Sequence, residues 1–181
     1  MQPRTRMVHT RNEKRAAVLA GAMAGLSAGI ALTVLMTVMS AANHRDIWYA
    51  MKGAAAPFAG ARAMTPGFDL PTVAQGLLDH LAISLGWGVL FALAFWGLGR
   101  GTTLAAGVLW AFVVWIGMYY VVLPIVGLEA MRNDAPVPRA IAFHLFYSLL
   151  VAGFFLLFRP LLGGPPVEHK RIGRRHHAHA V

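Results

Sequence analysis

Four long apolar runs constrain this chain more than any other feature. Ala16 to Ser40 is 25 residues without a charge, and Leu81 to Gly99 and Gly101 to Leu128 are also uncharged. Ala140 to Phe158 is interrupted only by His144. A helix needs about 20 apolar residues to cross a bilayer, so each run is long enough. The runs do not alternate apolar and polar residues, as barrel strands would over about ten positions. The sequence therefore predicts an all-α fold, an integral membrane four-helix bundle. The spans are expected over about 16–40, 77–99, 101–128 and 138–158. An outer loop covers 41–76, and basic tails cover 1–15 and 160–181.

Composition agrees. Hydrophobic residues are 57% and charged residues 13% of the chain. A soluble globule so poor in charge could not cover its own surface, and ordinary domains carry about 25%. Cysteine is absent, which excludes disulfides, thiolate metal sites and thiol catalysis. The first run has the basic flank of a cleaved signal peptide, and Ser40-Ala41-Ala42 loosely fits a cleavage site, but its apolar stretch far exceeds the ~7–15 residues of such a signal. It is read as an uncleaved anchor, with cleavage as the minor alternative.

The formal net charge is +9. In a soluble chain that balance suggests nucleic acid. Here the cations flank apolar runs, where anionic lipid headgroups are the expected partner and nucleic acid is not. Arg4, Arg6, Arg11, Lys14, Arg15, Arg100, Arg159, Lys170, Arg171, Arg174 and Arg175 fall on one side of a four-span topology. Arg45, Lys52, Arg62, Arg132 and Arg139 fall on the other. Eleven against five predicts both termini in the cytoplasm of a bacterium, with the protein in its inner membrane.

Between the first two spans, His44 to Lys52 places Ile47, Trp48 and Met51 on one helical face, which predicts a short helix lying on the outer surface. Asp69 is a candidate N-cap for the second long helix, with Pro71 in its first turn. Gly99-Arg100-Gly101 is a tight turn, so spans two and three are expected to form a hairpin.

The two halves resemble each other. His80-Leu81-Ala82-Ile83-Ser84-Leu85 matches His144-Leu145-Phe146-Tyr147-Ser148-Leu149 at four positions, and Phe91 and Phe155 keep the same register. Gly25 and Met36 pair with Gly107 and Met118. A duplicated two-helix hairpin, related by an axis along the membrane normal, accounts for this.

The candidate polar site lies toward the outer ends of the spans: His80, His144, Asp79, Ser84, Ser148, Tyr119 and Tyr120. Ionisable groups within spans are costly and turn toward the bundle interior. Three uses are open. The histidines can be packing glue, bonding a serine, tyrosine or backbone carbonyl across helices for about 1 kcal/mol. They can ligate haem b as a pair, although Arg100 and Arg159, taken as depth marks, leave them about 7.5 Å apart along the normal. Or Asp79 and His80 can form a titrating pair in a proton relay. No cofactor is expected, haem b being the alternative.

Gly21, Gly25 and Gly29 form a small-residue stripe continued by Thr33 and Thr37. Such stripes let helix backbones approach, here against a helix of the same bundle or a second copy in a homodimer. In the tail, Lys170, Arg171, Arg174 and Arg175 are expected at lipid headgroups, at about 1 kcal/mol each. His176, His177 and His179 could hold a metal weakly.

Asp46-Ile47-Trp48-Tyr49, Ala56-Pro57-Phe58, Pro66-Gly67-Phe68-Asp69, His80 through Gly88 and Tyr119-Tyr120-Val121-Val122-Leu123-Pro124 together resemble small four-span bacterial inner-membrane proteins of uncharacterised families. The likeness covers residues 20 to 160 and implies no activity. The sequence thus suggests a non-enzymatic accessory or structural membrane component. A small transporter or ion-translocating protein comes second and a haem-bearing redox protein third.

Overall fold

The computed structural model describes residues 11–128 and 136–164. All regular structure among the described residues is helical. Four segments are long and apolar enough to cross a membrane: Arg11–Ala42, Leu70–Phe95, Arg100–Ile125 and Val137–Leu161. We number the helices α1 (Arg11–Ala42), α2 (Tyr49–Ala54), α3 (Ala56–Ala59), α4 (Leu70–Phe95), α5 (Arg100–Gly117), α6 (Leu123–Ile125) and α7 (Val137–Leu161).

The third long segment changes pitch before it ends. Met118–Val122 is a π-helical stretch joining α5 to α6, just ahead of Pro124. Proline has no amide hydrogen, and its ring clashes with the carbonyl four residues back, here that of Tyr120. The wider turn takes up both.

Side-chain size decides which helices approach each other. Every buried residue of α1 is alanine or glycine: Ala17, Ala20, Gly21, Ala24, Gly25, Ala28 and Gly29. With nothing beyond Cβ on that face, α1 packs closely on both α4 and α7. A Cβ on Gly25 would collide with the Ser84 carbonyl and lie 3.1 Å from Gly88 Cα. In the other pair, a Cβ on Gly107 would lie 2.9 Å from Ala152 Cβ and 3.2 Å from the Ser148 carbonyl.

The α4–α5 connection is as tight as expected, but its helices are not the closest neighbours. α4 packs mainly on α1, and α5 on α7. Aromatic rings hold α4 and α5 apart. Trp110 meets Trp87, Phe91 and Phe95 edge-on at centroid distances of 5.8–5.9 Å. Phe91 in turn meets Phe155 at 5.7 Å in the centre of the bundle.

The segment between α1 and α4 is a folded cap, and the surface helix expected over residues 44–52 is displaced. The helix is Tyr49–Ala54, and it packs on α4, with Met51 and Lys52 buried. The reason is Gly76 of α4, whose missing side chain makes room for the Met51 carbonyl. Asp69 does stand at the N-cap of α4. Its carboxylate accepts from the Thr72 hydroxyl.

Candidate functional site

The seven candidate polar residues do not converge on one point. Each histidine belongs to its own helix pair. His80 Nε2 lies 3.2 Å from the Gly29 carbonyl of α1. A carbonyl can only accept, so Nε2 carries the proton. The bond exists because Gly29 brings the α1 backbone against α4, where Ser84 also sits on it. His144 instead donates from Nδ1 to the Ala140 carbonyl of its own helix at 2.7 Å. Its ring stands edge-on to Tyr119 of the π segment at 5.8 Å. As neutral rings the two imidazoles therefore carry opposite tautomers.

Asp79 and His80 take different partners. Asp79 Oδ1 accepts from Gln75 Nε2 at 2.9 Å within α4, while its buried Oδ2 has no partner among the described residues. Tyr119 and Tyr120 pack around Trp115 at 6.2 and 6.0 Å, and Tyr120 is exposed. Ser84 and Ser148 are both buried, and the Ser148 hydroxyl has no partner among the described residues. Gly21, Gly25 and Gly29 all face α4. Lys170, Arg171, Arg174, Arg175 and the tail histidines lie outside the described residues.

Three polar residues outside the candidate set do more to hold the bundle. The Tyr147 hydroxyl donates to the Ser84 carbonyl at 2.6 Å, tying α7 to α4. Arg159, counted in the sequence as a headgroup-side cation, is buried to 1% exposure. Its Nη1 donates to the Trp96 and Leu98 carbonyls at 2.8 and 2.7 Å, and its guanidinium lies over the Phe155 ring at 5.4 Å. A cation on the last carbonyls of a helix also meets the negative end of its dipole. The sequence signal was slight: an arginine at the end of an apolar run reads equally as a snorkelling flank.

Lys52 is the third, at 1% exposure. Its ammonium donates to Asp46 Oδ2 at 2.8 Å and to the Thr65 and Gly67 carbonyls. All three donors are thereby satisfied. Asp46 also accepts from the Trp48 and Gly67 amides at 3.0 and 3.1 Å. Burial raises the Asp46 carboxyl, but Lys52 and the two amides outweigh it, holding it below its ordinary value. Asp69 is lowered as well, first by the Thr72 hydroxyl and then by the Arg62 guanidinium.

Searches of protein families, curated proteins and solved structures find no match to the chain. Local geometry alone therefore carries the functional reading.

Proposed function

We propose that this chain is a multi-pass protein of the bacterial inner membrane, with both termini cytoplasmic, acting as a non-enzymatic accessory or structural component. The observation that carries the reading is the use of its polar groups. His80 to Gly29, Tyr147 to Ser84, Trp87 to Met118 and Arg159 to Trp96 and Leu98 each fasten one helix to another or to a connecting turn. Groups that serve a substrate converge on a shared space, whereas these are distributed among helix pairs and at both ends of the bundle. The eleven-to-five cation bias supports the orientation.

The architecture derives from a duplicated hairpin. Supporting this, Gly25 abuts Ser84 and Gly88, while Gly107 abuts Ser148 and Ala152, which occupy the same register of the repeat. Ala28 of α1 corresponds to Trp110 of α5 in that register. That exchange accounts for the closed α1–α7 seam and the ring-filled α4–α5 seam.

An accessory protein should remain with its partner on gentle extraction. Cross-linking in native membranes followed by mass spectrometry should recover one recurrent membrane polypeptide. Recovery of the chain alone would overturn the accessory role. Asp79 Oδ2, buried and without a partner among the described residues, favours a second reading, proton or ion translocation. That reading requires flux into proteoliposomes that Asp79→Asn abolishes. A haem b reading requires a Soret band lost in both His80→Gln and His144→Gln.

A further inference from the structure

The two ends of the bundle differ in charge. α1 runs antiparallel to α4, since Gly21 lies against Gly88 and Ala92 and Gly29 against Ser84. The start of α1 therefore stands at the end that holds the α4–α5 turn and Arg159, where Ala16, Leu98 and Leu162 pack on one core. In a four-span chain this end takes eleven cations and two acids, Glu13 and Glu168, whereas the other end takes five of each. At that other end carboxylates meet cations within the fold. Lys52 pairs with Asp46 at 2.8 Å, and Arg62 with Asp69 at 3.0 Å. The net charge of +9 thus belongs to the end where α1 starts.

α1 also sorts its own charges by face. Arg11, Lys14 and Arg15 are exposed, as are Val18, Leu19 and Met23 over the next turns. Residues three and four apart share a helix face. The three cations therefore lie together, turned away from the buried Ala17, Ala20 and Ala24. Glu13, the one acid of α1, lies instead in line with Ala17 and Ala20. Residues 1–10 add Arg4 and Arg6 and no acid. Cations in the first turns of a helix oppose its dipole, so α1 itself gains nothing from them. A cluster of cations above an exposed apolar row matches an amphiphile with an anionic head.

We propose that this face of α1 is a binding site for an anionic phospholipid. Arg11, Lys14 and Arg15 take the headgroup phosphate, and Val18, Leu19 and Met23 carry the acyl chain. Long basic side chains lay their stems along apolar surface and extend the charged head to the phosphate. A guanidinium can bond two phosphate oxygens at once. A zwitterionic head, which brings its own cation, gains less from the same cluster. The site rests on the membrane reading above, and goes beyond it in naming the lipid class and the part of the chain that selects it.

The test uses the full chain in detergent, with phosphatidylglycerol or phosphatidylcholine added. Native mass spectrometry counts the retained lipid, and a photoreactive acyl chain maps its contacts. Phosphatidylglycerol should be retained more strongly, with adducts on Val18, Leu19 and Met23. Equal retention of both lipids, or adducts spread evenly to Ile30 and Leu109, overturns the site alone. Retention of neither lipid overturns the membrane reading together with the site. Capture of a short oligonucleotide in preference to phosphatidylglycerol overturns the lipid assignment.

The variants fall at exposed positions and leave the buried alanines in place. Arg11→Gln, Lys14→Gln and Arg15→Gln combined should weaken phosphatidylglycerol retention on the order of a hundredfold, at about fivefold per cation. Lys170→Gln, Arg171→Gln and Arg174→Gln combined remove the same charge from the tail and should keep the α1 adducts. Asn12→Glu sets a carboxylate three residues from Arg15, where it competes with the phosphate. It should keep or raise the thermal midpoint, because an acid suits the start of a helix. It should also weaken retention about fivefold, while Asn12→Gln leaves retention unchanged. Undiminished retention in the triple α1 variant and in Asn12→Glu overturns the proposal.

Discussion

Tyr147 and Ser84 join helices that hardly touch otherwise: the phenol of α7 reaches the Ser84 carbonyl of α4 at 2.6 Å. Ser84 is also the residue whose carbonyl rests on Gly25 of α1. One backbone position thus joins three of the four long helices. Tyr147→Phe keeps the ring and removes the bond. It should cost about 1 kcal/mol, the usual range for interhelical bonds in membranes, read as a lower midpoint in detergent unfolding.

Glycines separate into two groups by what surrounds them. A Cβ at Gly25 or Gly88 meets the facing backbone, whereas one at Gly86 or Gly153 meets nothing within 4 Å. Gly25→Ala and Gly88→Ala should each destabilise by about 2 kcal/mol through overpacking, and Gly25→Leu should prevent assembly. Gly86→Ala and Gly153→Ala should be neutral or slightly stabilising, since alanine is the better helix former. Equal thermal midpoints across all four alanine variants would refute the close seam.

The two histidines should respond differently to substitution. His80 bonds another helix, and His144 its own. His80→Ala should lower stability by about 1 kcal/mol. His144→Phe should be tolerated, because an aromatic ring can keep the edge contact with Tyr119. Nitrogen-correlated NMR should report a protonated Nε2 in His80 and a protonated Nδ1 in His144. Matching tautomers would contradict the structure.

Lys52 clasps the cap between α1 and α4. Lys52→Met removes the cation but leaves the part-exposed Asp46 held by two amides, and should cost about 2 kcal/mol, as for lost hydrogen bonds to a charged group. Trypsin should then cut faster after the exposed Arg62. The depressed Asp46 carboxyl fixes the pH dependence. Its contribution is fully present above the ordinary carboxylate value near about pH 4 and is lost as pH falls through the lowered value. Protection from trypsin that fades well above that range would exclude Asp46 as the group involved.

The absence of cysteine makes topology directly measurable. A single cysteine at the exposed Phe58 should react with an impermeant maleimide from outside intact cells, and one at Arg100 only after lysis. Gly67 is unsuitable for such labelling because its φ is +91° and its amide bonds Asp46. Labelling at Arg100 in intact cells would reverse the orientation.

The sequence by itself determined the four long helices, because an uninterrupted apolar run has few ways to satisfy its backbone except in a helix. It also marked the glycine stripe of α1, since small residues spaced by four share one face. Tertiary structure alone decided partnership. That α1 lies between α4 and α7 while α5 stands off from α4 depends on where Trp87, Phe91 and Trp110 place their rings. It also decided the separation of the histidines. Their local sequences are alike, but only His80 faces a glycine that brings a foreign carbonyl within reach. Lys52 and Arg159 look like surface cations in a linear reading. Each is buried because chain segments distant in sequence supply the acceptors, Thr65 and Gly67 for one and Trp96 and Leu98 for the other. Periodicity encodes which face of a helix is apolar, and says nothing about what that face meets.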